Sequence, residues 1–472
     1  MSFGIKRYLV RGQIDPLSSP SLPEIFKGNL VGGNAGNLMF FHSIVRTLLK
    51  DDTEIDYINT KQSVEEEEIE RINAEYDAFI IPLANAFRVT FEKELRNITE
   101  LVKRLSIPSV VIGVGLKGSK ITNNRLSFGF DETVKDFCDA VLEKSGFIGI
   151  RGEFTAEYLK NLGYREELDF TVIGCPSMYM HGEKLPSPKD INLNADLRLN
   201  FNCKASLGEN IHNYLKDTCK LIPNHYYVVQ NMYEFQTLLL GRNLLEITKR
   251  VTKTSACYPV DYTHRLYSEN RVRGFVSVRS WLDFIKKGDL NFGTRIHGNM
   301  TGVLSGVPTF VVAPDRRVLE LARYHNIPHI TINDLDASDD IFHLLDGVDF
   351  SKVKSGHAQR FNHYIDFLHK NGLETIFDEG YEKSFNCKFD KKIQEKKDAP
   401  PLMPFMFSDY EKQLEAIEIW NWLMRTQIEK TELLREKNIE LNNTVNYIKR
   451  RSLYYISGSV IRKGKKLIFR KK

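Results

Sequence analysis

The chain has 472 residues, of which 42% are hydrophobic and 27% are charged. This ordinary globular composition excludes a mostly disordered or fibrous protein, and the length suggests two or three domains. The formal net charge is +5, yet residues 449–472 hold ten Lys or Arg and no acidic residue, so the remainder sums to −5. A mildly acidic body excludes a diffuse nucleic-acid-binding surface and leaves only the basic end to meet phosphates.

The sequence lacks the long apolar runs that mark membrane spans and secretory signals, so we expect neither. Its six cysteines are scattered and include no CxxC pair, and its twelve histidines include no HExxH pattern. We therefore expect no metal, no cofactor and no disulfide framework, and we expect a cytoplasmic protein.

Strand-like and amphipathic segments alternate through the first part of the chain. The predicted strands are 54–59, 76–84, 108–116, 147–152 and 170–180, and the predicted helices are 90–105, 131–144 and 153–163. Strands separated by helices of this length indicate βαβ units and a parallel sheet. A polar stretch with two prolines, 183–196, is the best candidate for a domain linker.

The alternation restarts after this linker. Strands are predicted at 197–202, 225–231, 273–278, 289–293, 308–314 and 329–333, and helices at 279–287, 298–306 and 316–326. We therefore predict an α/β protein with two Rossmann-like domains, 1–185 and 186–340, facing a cleft. Ligands in such sheets bind at the carboxyl ends of the strands.

The rest of the chain is predicted to be helical. Residues 341–400 are expected to form a helical crossover and linker, with the charged, Pro-rich stretch 391–404 as the linker itself. Residues 401–472 are expected to form a long helix and a basic amphipathic tail. The helix over 409–450 has imperfect heptads, which leaves self-association through a coiled coil open. Gly458 and Gly464 favour two short helical pieces at the end of the tail.

Two turns are candidates for a binding site. The loop GGNAGN, with Gly33, Asn34, Gly36 and Asn37, precedes a predicted helix and is either an anion-binding loop or a tight turn with asparagine caps. The turn GTRIHG places Arg295 and His297 between the end of a strand and the start of a helix. Arginine offers a planar fork to a carboxylate or phosphate, and histidine can move a proton. The alternative is an arginine paired with an acid and a histidine that caps its helix.

GTRIHG, followed by a small-residue helix and GVP, resembles the signature of the polysaccharide pyruvyl transferase family. GNAGN, PSVVIGVGL, IGIRGEFTAEYLKNLG, VIGCPSMY and APDRRVLELARYHNIP resemble other segments of the family in the same order, over roughly residues 28–335. One segment departs from the pattern: many members have a glycine-rich turn where this chain has PLANAFR (82–88), with Asn85 and Arg88.

The resemblance implies a GT-B-like arrangement and transfer of a pyruvyl group from phosphoenolpyruvate to a sugar, forming a cyclic ketal and releasing phosphate. It implies no metal. His297 is then the candidate acid or base. Arg295, Arg151 and Arg316 are candidates for binding the donor anion, and Asn85 and the GGNAGN loop are further substrate-binding candidates. Arg151 could instead pair with Glu153 or Glu157, and Arg316 could be a surface residue beside Glu320.

The expected acceptor is a glycan or a lipid-linked oligosaccharide of surface-polysaccharide assembly. The tail, 449–472, mixes basic, aromatic and aliphatic residues, which predicts binding to an anionic membrane at the inner face of the plasma membrane. Two other functions stay open at this point. One is a GT-B glycosyltransferase that uses a nucleotide sugar, and the other is a catalytically silent scaffold of an assembly complex.

Overall fold

The computed structural model describes residues 5–117, 121–122, 125–204, 207, 209–241, 259, 262–336, 340–396 and 398–468. Residues 121, 122, 125, 209, 210, 383 and 447–468 are described by their backbone alone. The chain divides into two compact units, Met1–Gln413 and Leu414–Lys472.

The first half of the larger unit is built on a parallel sheet. Its elements, in chain order, are β1 Lys6–Arg11, α1 Leu22–Gly28, α2 Gly36–Leu48, β2 Thr53–Ile58, α3 Glu66–Glu75, β3 Ala78–Pro82, α4 Glu92–Arg104, β4 Ser109–Ile112, β5 Ile121–Thr122, β6 Arg125–Leu126, α5 Asp131–Leu142, β7 Ile148–Ile150, α6 Glu153–Leu162 and β8 Phe170–Val172. The strand order is β2-β1-β3-β4, and backbone bonds from residues 113 and 114 to Gly149 join the parallel pair β7-β8 to its edge.

Strand β1 is central in this sheet, although the sequence pattern did not predict it. Only Tyr8, Leu9 and Val10 are buried, between charged residues at both ends. Three apolar residues are too few to show a period in the sequence. The strand therefore forms because β2 and β3 pair with it on either side.

The second half carries a six-stranded parallel sheet. Its elements are β9 Leu199–Asn202, α7 Glu209–Leu221, β10 His225–Val228, α8 Met232–Leu240, α9 Arg265–Ser268, β11 Val272–Arg273, α10 Val278–Ile285, β12 Leu290–Gly293, α11 Ile296–Leu304, β13 Thr309–Ala313, α12 Arg316–Tyr324 and β14 His329–Thr331. The strand order is β11-β10-β9-β12-β13-β14, and all of the pairs are parallel. Two parallel sheets with helices between their strands confirm the predicted α/β class.

Two predicted strands are much shorter than expected. The segment 170–180 is a strand only to Val172, because Pro176 begins a 3-10 turn, Pro176–Tyr179. Of the segment 273–278, only Arg273 belongs to a strand, Val272–Arg273, and the Ser277 hydroxyl caps a helix that begins at Val278. In both segments, the start of a helical turn ends a strand that the apolar sequence pattern alone predicts to be longer. In the second segment, that start is fixed by a side-chain cap.

The chain returns to the first half after β14. The elements that follow are α13 Ile341–Leu345, α14 His357–Lys370 and α15 Lys388–Glu395. At the end of α14, the Asn371 side-chain oxygen accepts bonds from the backbone N–H groups of Gly146 (3.0 Å) and Phe147 (3.2 Å). This helix therefore packs beside β7 of the first sheet.

The predicted linker 391–404 is wrong in its first part, because residues up to Glu395 belong to α15. This helix is anchored to α2 by Phe389, which is fully buried, and by Asp390, which accepts two bonds from Arg46 (2.7 and 2.8 Å). A buried ring and a bidentate ion pair outweigh the charged composition that suggested a linker.

The last helix, α16, spans Tyr410–Ile468 without a break. The expectation of two short pieces at its end is wrong for the backbone, because the helix continues through Gly458 and Gly464. Each glycine costs a helix only about 1 kcal/mol, which good helix formers around it can offset. No helix in the described part of the chain combines the length and the apolar character needed to cross a membrane.

Candidate functional site

A cleft of about 570 Å³ lies between the two parallel sheets. Residues just beyond the carboxyl ends of β1, β2 and β3 line one side, and residues beyond β9, β10, β12 and β13 line the other. The sequence pattern predicts ligand binding at these strand ends. Of the predicted site residues, five line the cleft: Asn34, Asn37, Asn85, Arg295 and His297.

His297 lies in the first turn of α11 and reaches the cleft from a buried position. Its exposed fraction is 8%, and its Nε2 lies 3.7 Å from the Cys175 sulfur. Burial, together with the charges of Arg151 and Arg317, lowers the pKa of His297 to about 3. The imidazole is therefore neutral near pH 7 and able to accept a proton, whereas a nearby anion would raise its pKa.

Gly36 explains how the histidine is held. A Cβ at Gly36 would lie 2.5 Å from His297 Nδ1, so any other residue here would force the imidazole or the helix to move. Because Gly36 starts α2, the glycine lets this helix of the first half approach the imidazole of the second half. Gly36 therefore acts through close packing and does not line the cleft.

Arg295 is tied to protein groups at the same turn. Its Nη2 donates to Glu234 (2.7 Å) and its Nε donates to the Cys203 carbonyl (2.8 Å), while its backbone N–H donates to the Asn202 side chain (2.9 Å). The Arg295 and Glu234 side chains are only 6% and 4% exposed. The paired-arginine alternative therefore describes these contacts, although Arg295 also contributes to the cleft wall.

Arg151 lies under the cleft and is completely buried. Its Nε donates to the Gly113 carbonyl (3.1 Å) and its Nη1 donates to Asn85 (3.0 Å), while its Nη2 has no hydrogen-bond partner among the described residues. Burial lowers its pKa, and the charge of Arg317 adds to this effect. The pairs with Glu153 or Glu157 considered above are absent from the described contacts. Arg151 instead positions Asn85, which does line the cleft.

The GGNAGN loop joins the two halves of the protein. The Ala35 N–H donates to the Gln230 carbonyl (2.8 Å), the Gly33 carbonyl accepts from Met232 (3.2 Å), and Asn34 donates to Asn231 (2.9 Å). Asn34 also caps the Gly36 N–H (2.8 Å). Because protein groups already satisfy these N–H groups, the loop is a structural clamp with capping asparagines. Gly33 and Gly36 do not line the cleft, whereas the side chains of Asn34 and Asn37 do.

Arg317, and not Arg316, faces the cleft at the start of α12. Arg316 is exposed and stacks over the Phe154 ring at 5.3 Å. The neighbouring Glu320 accepts bonds from the Phe154 and Thr155 N–H groups of the first half (3.1 and 3.3 Å), and burial raises its pKa to about 7. Successive residues at a helix start point in different directions, and this decides which arginine lines the cleft.

Arg317 is the centre of a basic cluster in the cleft. The cluster consists of Arg88, Lys117, Lys204 and Arg317. Asp315 is the one carboxylate that pairs with its members among the described residues, with Lys204 Nζ at 2.7 Å and Arg317 Nη2 at 3.2 Å. The cluster therefore carries an excess of three positive charges.

Repulsion within the cluster shifts the pKa values of its members. Burial lowers the pKa values of Arg88, Lys117 and Lys204, and the charge of Arg317 lowers each of them further. Burial alone would raise the pKa of Asp315, but Arg317 and Lys204 hold it at about 2. A bound anion would relieve this repulsion, so the cluster is prepared to bind one.

Lys117, Lys204 and Arg317 are not among the site residues predicted from the sequence, where Arg88 stands only as a departure from the family pattern. A signal was available, since Arg88, Lys117, Lys204 and Arg317 follow shortly after strands β3, β4, β9 and β13 respectively. In parallel sheets these ends meet at one edge. No group of three or more side chains suited to a metal ion occurs in the part of the chain that the structure describes.

Comparisons with solved structures give only distant likenesses. A protein of uncharacterised function from Klebsiella pneumoniae is 10% identical, with 71% of this chain and 93% of that chain covered and a TM-score of 0.35. The UDP-GlcNAc 2-epimerase of Methanocaldococcus jannaschii is 10% identical (88% and 99% covered, TM-score 0.35), as is the glycosyltransferase SnogD of Streptomyces nogalater (77% and 96%, TM-score 0.32). TM-scores this low carry no argument about this chain.

The comparison with protein families is more informative. A search of curated proteins finds no match to the sequence. The family described as "Polysaccharide pyruvyl transferase", however, matches residues 34–316, which is more than half of the chain and includes both sides of the cleft. The chain therefore belongs to the polysaccharide pyruvyl transferase family.

Proposed function

We propose that the protein transfers the pyruvyl group of phosphoenolpyruvate to two hydroxyl groups of one sugar. The product is a cyclic ketal, and inorganic phosphate is released. The single observation that carries the proposal is the basic cluster around Arg317, which lies beside His297 in a cleft of the pyruvyl transferase family. Phosphoenolpyruvate carries a carboxylate and a phosphate, close to three negative charges, which matches the excess charge of the cluster.

The reaction requires two sugar protons to be moved. One sugar hydroxyl adds to C2 of the enol while C3 gains a proton and becomes a methyl group. The second hydroxyl then adds to C2 as the C2–O bond to phosphate breaks, and its proton leaves with phosphate. The basic cluster would stabilise the negative charge that shifts to the departing phosphate.

His297 is the group we propose for proton transfer. Its low pKa keeps the imidazole unprotonated in the free enzyme, so a ring nitrogen is available for the proton of an attacking hydroxyl, but it also makes the imidazole a weak base until an anion binds nearby. Binding of the donor brings negative charge close to the imidazole, which raises the pKa of His297 and helps it to hold that proton. Arg295 would act mainly by fixing the turn that presents His297, because Glu234 and the Cys203 carbonyl already occupy part of its fork.

The test is incubation of the purified full-length protein with phosphoenolpyruvate and candidate glycans. Pyruvyl transfer predicts equimolar phosphate release and a gain of about 70 Da on the sugar, the mass of pyruvate less water. Consumption of a nucleotide sugar in a parallel incubation would instead favour a glycosyltransferase. If neither reaction occurs with any acceptor, the result would favour the catalytically silent scaffold.

A further inference from the structure

Cys175 lies behind His297, between β8 and the 3-10 turn Pro176–Tyr179. It is completely buried, so its thiol does not reach the cleft. Its backbone N–H donates to His325 Nε2 (2.9 Å), and its carbonyl accepts from the Met178 N–H (3.0 Å). Because these two bonds fix the backbone on both sides of the side chain, the fold determines which groups the sulfur meets.

The thiol carries a single proton, and its contacts show where this proton goes. The Cys175 Sγ–H group donates to the Ser177 Oγ (3.4 Å), and Ser177 is also completely buried. A thiol has no second proton to donate. In its contact with His297 Nε2 (3.7 Å) the sulfur can therefore act only as an acceptor. It follows that Nε2 carries the proton of the neutral imidazole.

The other ring nitrogen of His297 has different surroundings. Nδ1 lies beside Gly36 and has no hydrogen-bond partner in the part of the chain that the structure describes. The histidine lines the cleft there, together with the side chains of Asn34 and Asn37. A neutral imidazole that is protonated on Nε2 has its lone pair on Nδ1. Nδ1 is therefore the nitrogen that is left to accept a proton from a ligand.

We infer that Cys175 is a positioning residue: its sulfur holds the Nε2–H group of His297, so that Nδ1 is the atom that takes the proton of the attacking sugar hydroxyl. In this step the O–H bond of the sugar breaks and an Nδ1–H bond forms, while Nε2–H continues to donate to the sulfur. Either nitrogen of an unrestrained imidazole can carry the proton, so the sulfur keeps the base in its useful form. The catalytic part of the inference rests on the proposed function, whereas the tautomer does not.

The first test reads the tautomer in the absence of any substrate. ¹⁵N NMR of the full-length protein, labelled in its histidines, distinguishes a protonated ring nitrogen from an unprotonated one by chemical shift. The spectrum of His297→Gln identifies the signals that belong to His297. Near pH 7, we expect a protonated Nε2 and an unprotonated Nδ1. The opposite tautomer, or an equal mixture of the two, would overturn the inference.

Two variants should change this tautomer in different ways. Ser177→Ala removes the acceptor of the thiol proton, so the S–H group should turn to Nε2 and the imidazole proton should move to Nδ1. Cys175→Ala removes the sulfur itself and should give a mixture of tautomers. Cys138→Ala is the matched control, because it removes another completely buried thiol, in the core of the first half, and it should keep the wild-type tautomer. If all three variants keep that tautomer and melt normally, the sulfur does not set it.

Steady-state kinetics connect the tautomer with turnover. Cys175→Ala should lower kcat by about 2- to 10-fold, the range expected for one uncharged hydrogen bond, and change the Michaelis constant for phosphoenolpyruvate less than twofold. Cys175→Ser, which restores a hydrogen-bonding group, should recover part of the loss. A normal kcat with a raised Michaelis constant would overturn the catalytic part. If no acceptor supports turnover, the proposed function fails, but the NMR spectra still decide whether Cys175 sets the tautomer.

Discussion

The variant Arg317→Gln tests the centre of the proposed donor site. Arg317 is 17% exposed and pairs with Asp315, and its charge affects the pKa values of Arg88, Lys117, Lys204 and His297. Asp315 keeps its ion pair with Lys204 in this variant. The substitution therefore removes one charge from the cluster and leaves the carboxylate paired, so little stability should be lost.

The size of the effect follows from the bond that is removed. A hydrogen bond between charged groups contributes about 1.5–3 kcal/mol, so the Michaelis constant for phosphoenolpyruvate should rise about 10- to 150-fold. The same change should raise the pKa of His297, since one of the charges that lower it is gone. Arg317→Lys should recover only part of the affinity, because lysine restores the charge but lacks the planar guanidinium that can donate two hydrogen bonds to one anion.

Arg316→Gln is the matched control, because it removes the same charge one residue away, outside the cleft. The assay is phosphate release at varied concentrations of phosphoenolpyruvate with a short soluble acceptor. We expect a large rise in the Michaelis constant for Arg317→Gln and less than a twofold change for Arg316→Gln. Equal effects, or a normal constant for Arg317→Gln, would refute the assignment of the donor to this cluster.

Three further predictions concern the turn and the tail. His297→Gln should lower turnover by about 100-fold or more in steady-state assays. Because the pKa of His297 falls from 6.5 to about 3 on folding, the unfolded chain binds a proton that the folded chain does not. The free energy of unfolding of the wild type should therefore decline as the pH drops from 6.5 towards 3, and that of His297→Gln should decline less. A difference in melting temperature between the two proteins that stays constant over this pH range would contradict the prediction. Arg295→Met should lower the free energy of unfolding by about 3–5 kcal/mol, because it leaves the buried Glu234 carboxylate without its cation. The double variant with Glu234→Gln should recover part of this loss, and denaturant titrations measure both effects. An unchanged midpoint of denaturant unfolding, together with a raised Michaelis constant for phosphoenolpyruvate, would mean that Arg295 binds the donor and does not stabilise the fold. We also propose that the tail binds anionic membranes. Deleting residues 449–472 should therefore abolish co-sedimentation with anionic liposomes and leave activity on a soluble acceptor unchanged. If the full-length protein fails to co-sediment with these liposomes at low salt, the tail does not have this role.

Much of the fold could be predicted from local sequence alone. Strands β3, β4, β12 and β13 are short apolar runs bounded by Gly or Pro, and the helices between them show an apolar face, so each element is specified by its own residues. Local sequence failed to predict the secondary structure where contacts with distant parts of the chain determine it. Strand β1 needs its two neighbours, and α15 needs its contacts with α2.

The site divides in the same way. The sequence by itself marked the turn with Arg295 and His297 as the centre of interest, because a strand end followed by a helix start is a local pattern. It could not assign the partner of Arg295, since Glu234 lies 61 residues away in the sequence. Nor could it distinguish Arg316 from Arg317, whose side chains leave α12 about 100° apart.

Only the tertiary structure assembled the basic cluster. Its four cations follow four different strands, two in each half of the protein; Arg88, Lys117 and Lys204 lie in loops and Arg317 lies in the first turn of α12. They meet because parallel strands direct all their carboxyl ends to one edge and because backbone hydrogen bonds from the GGNAGN loop join the two halves beside the cleft. Charge repulsion depends on distance in space, so the strength of the anion site was decided by the fold and not by any single motif.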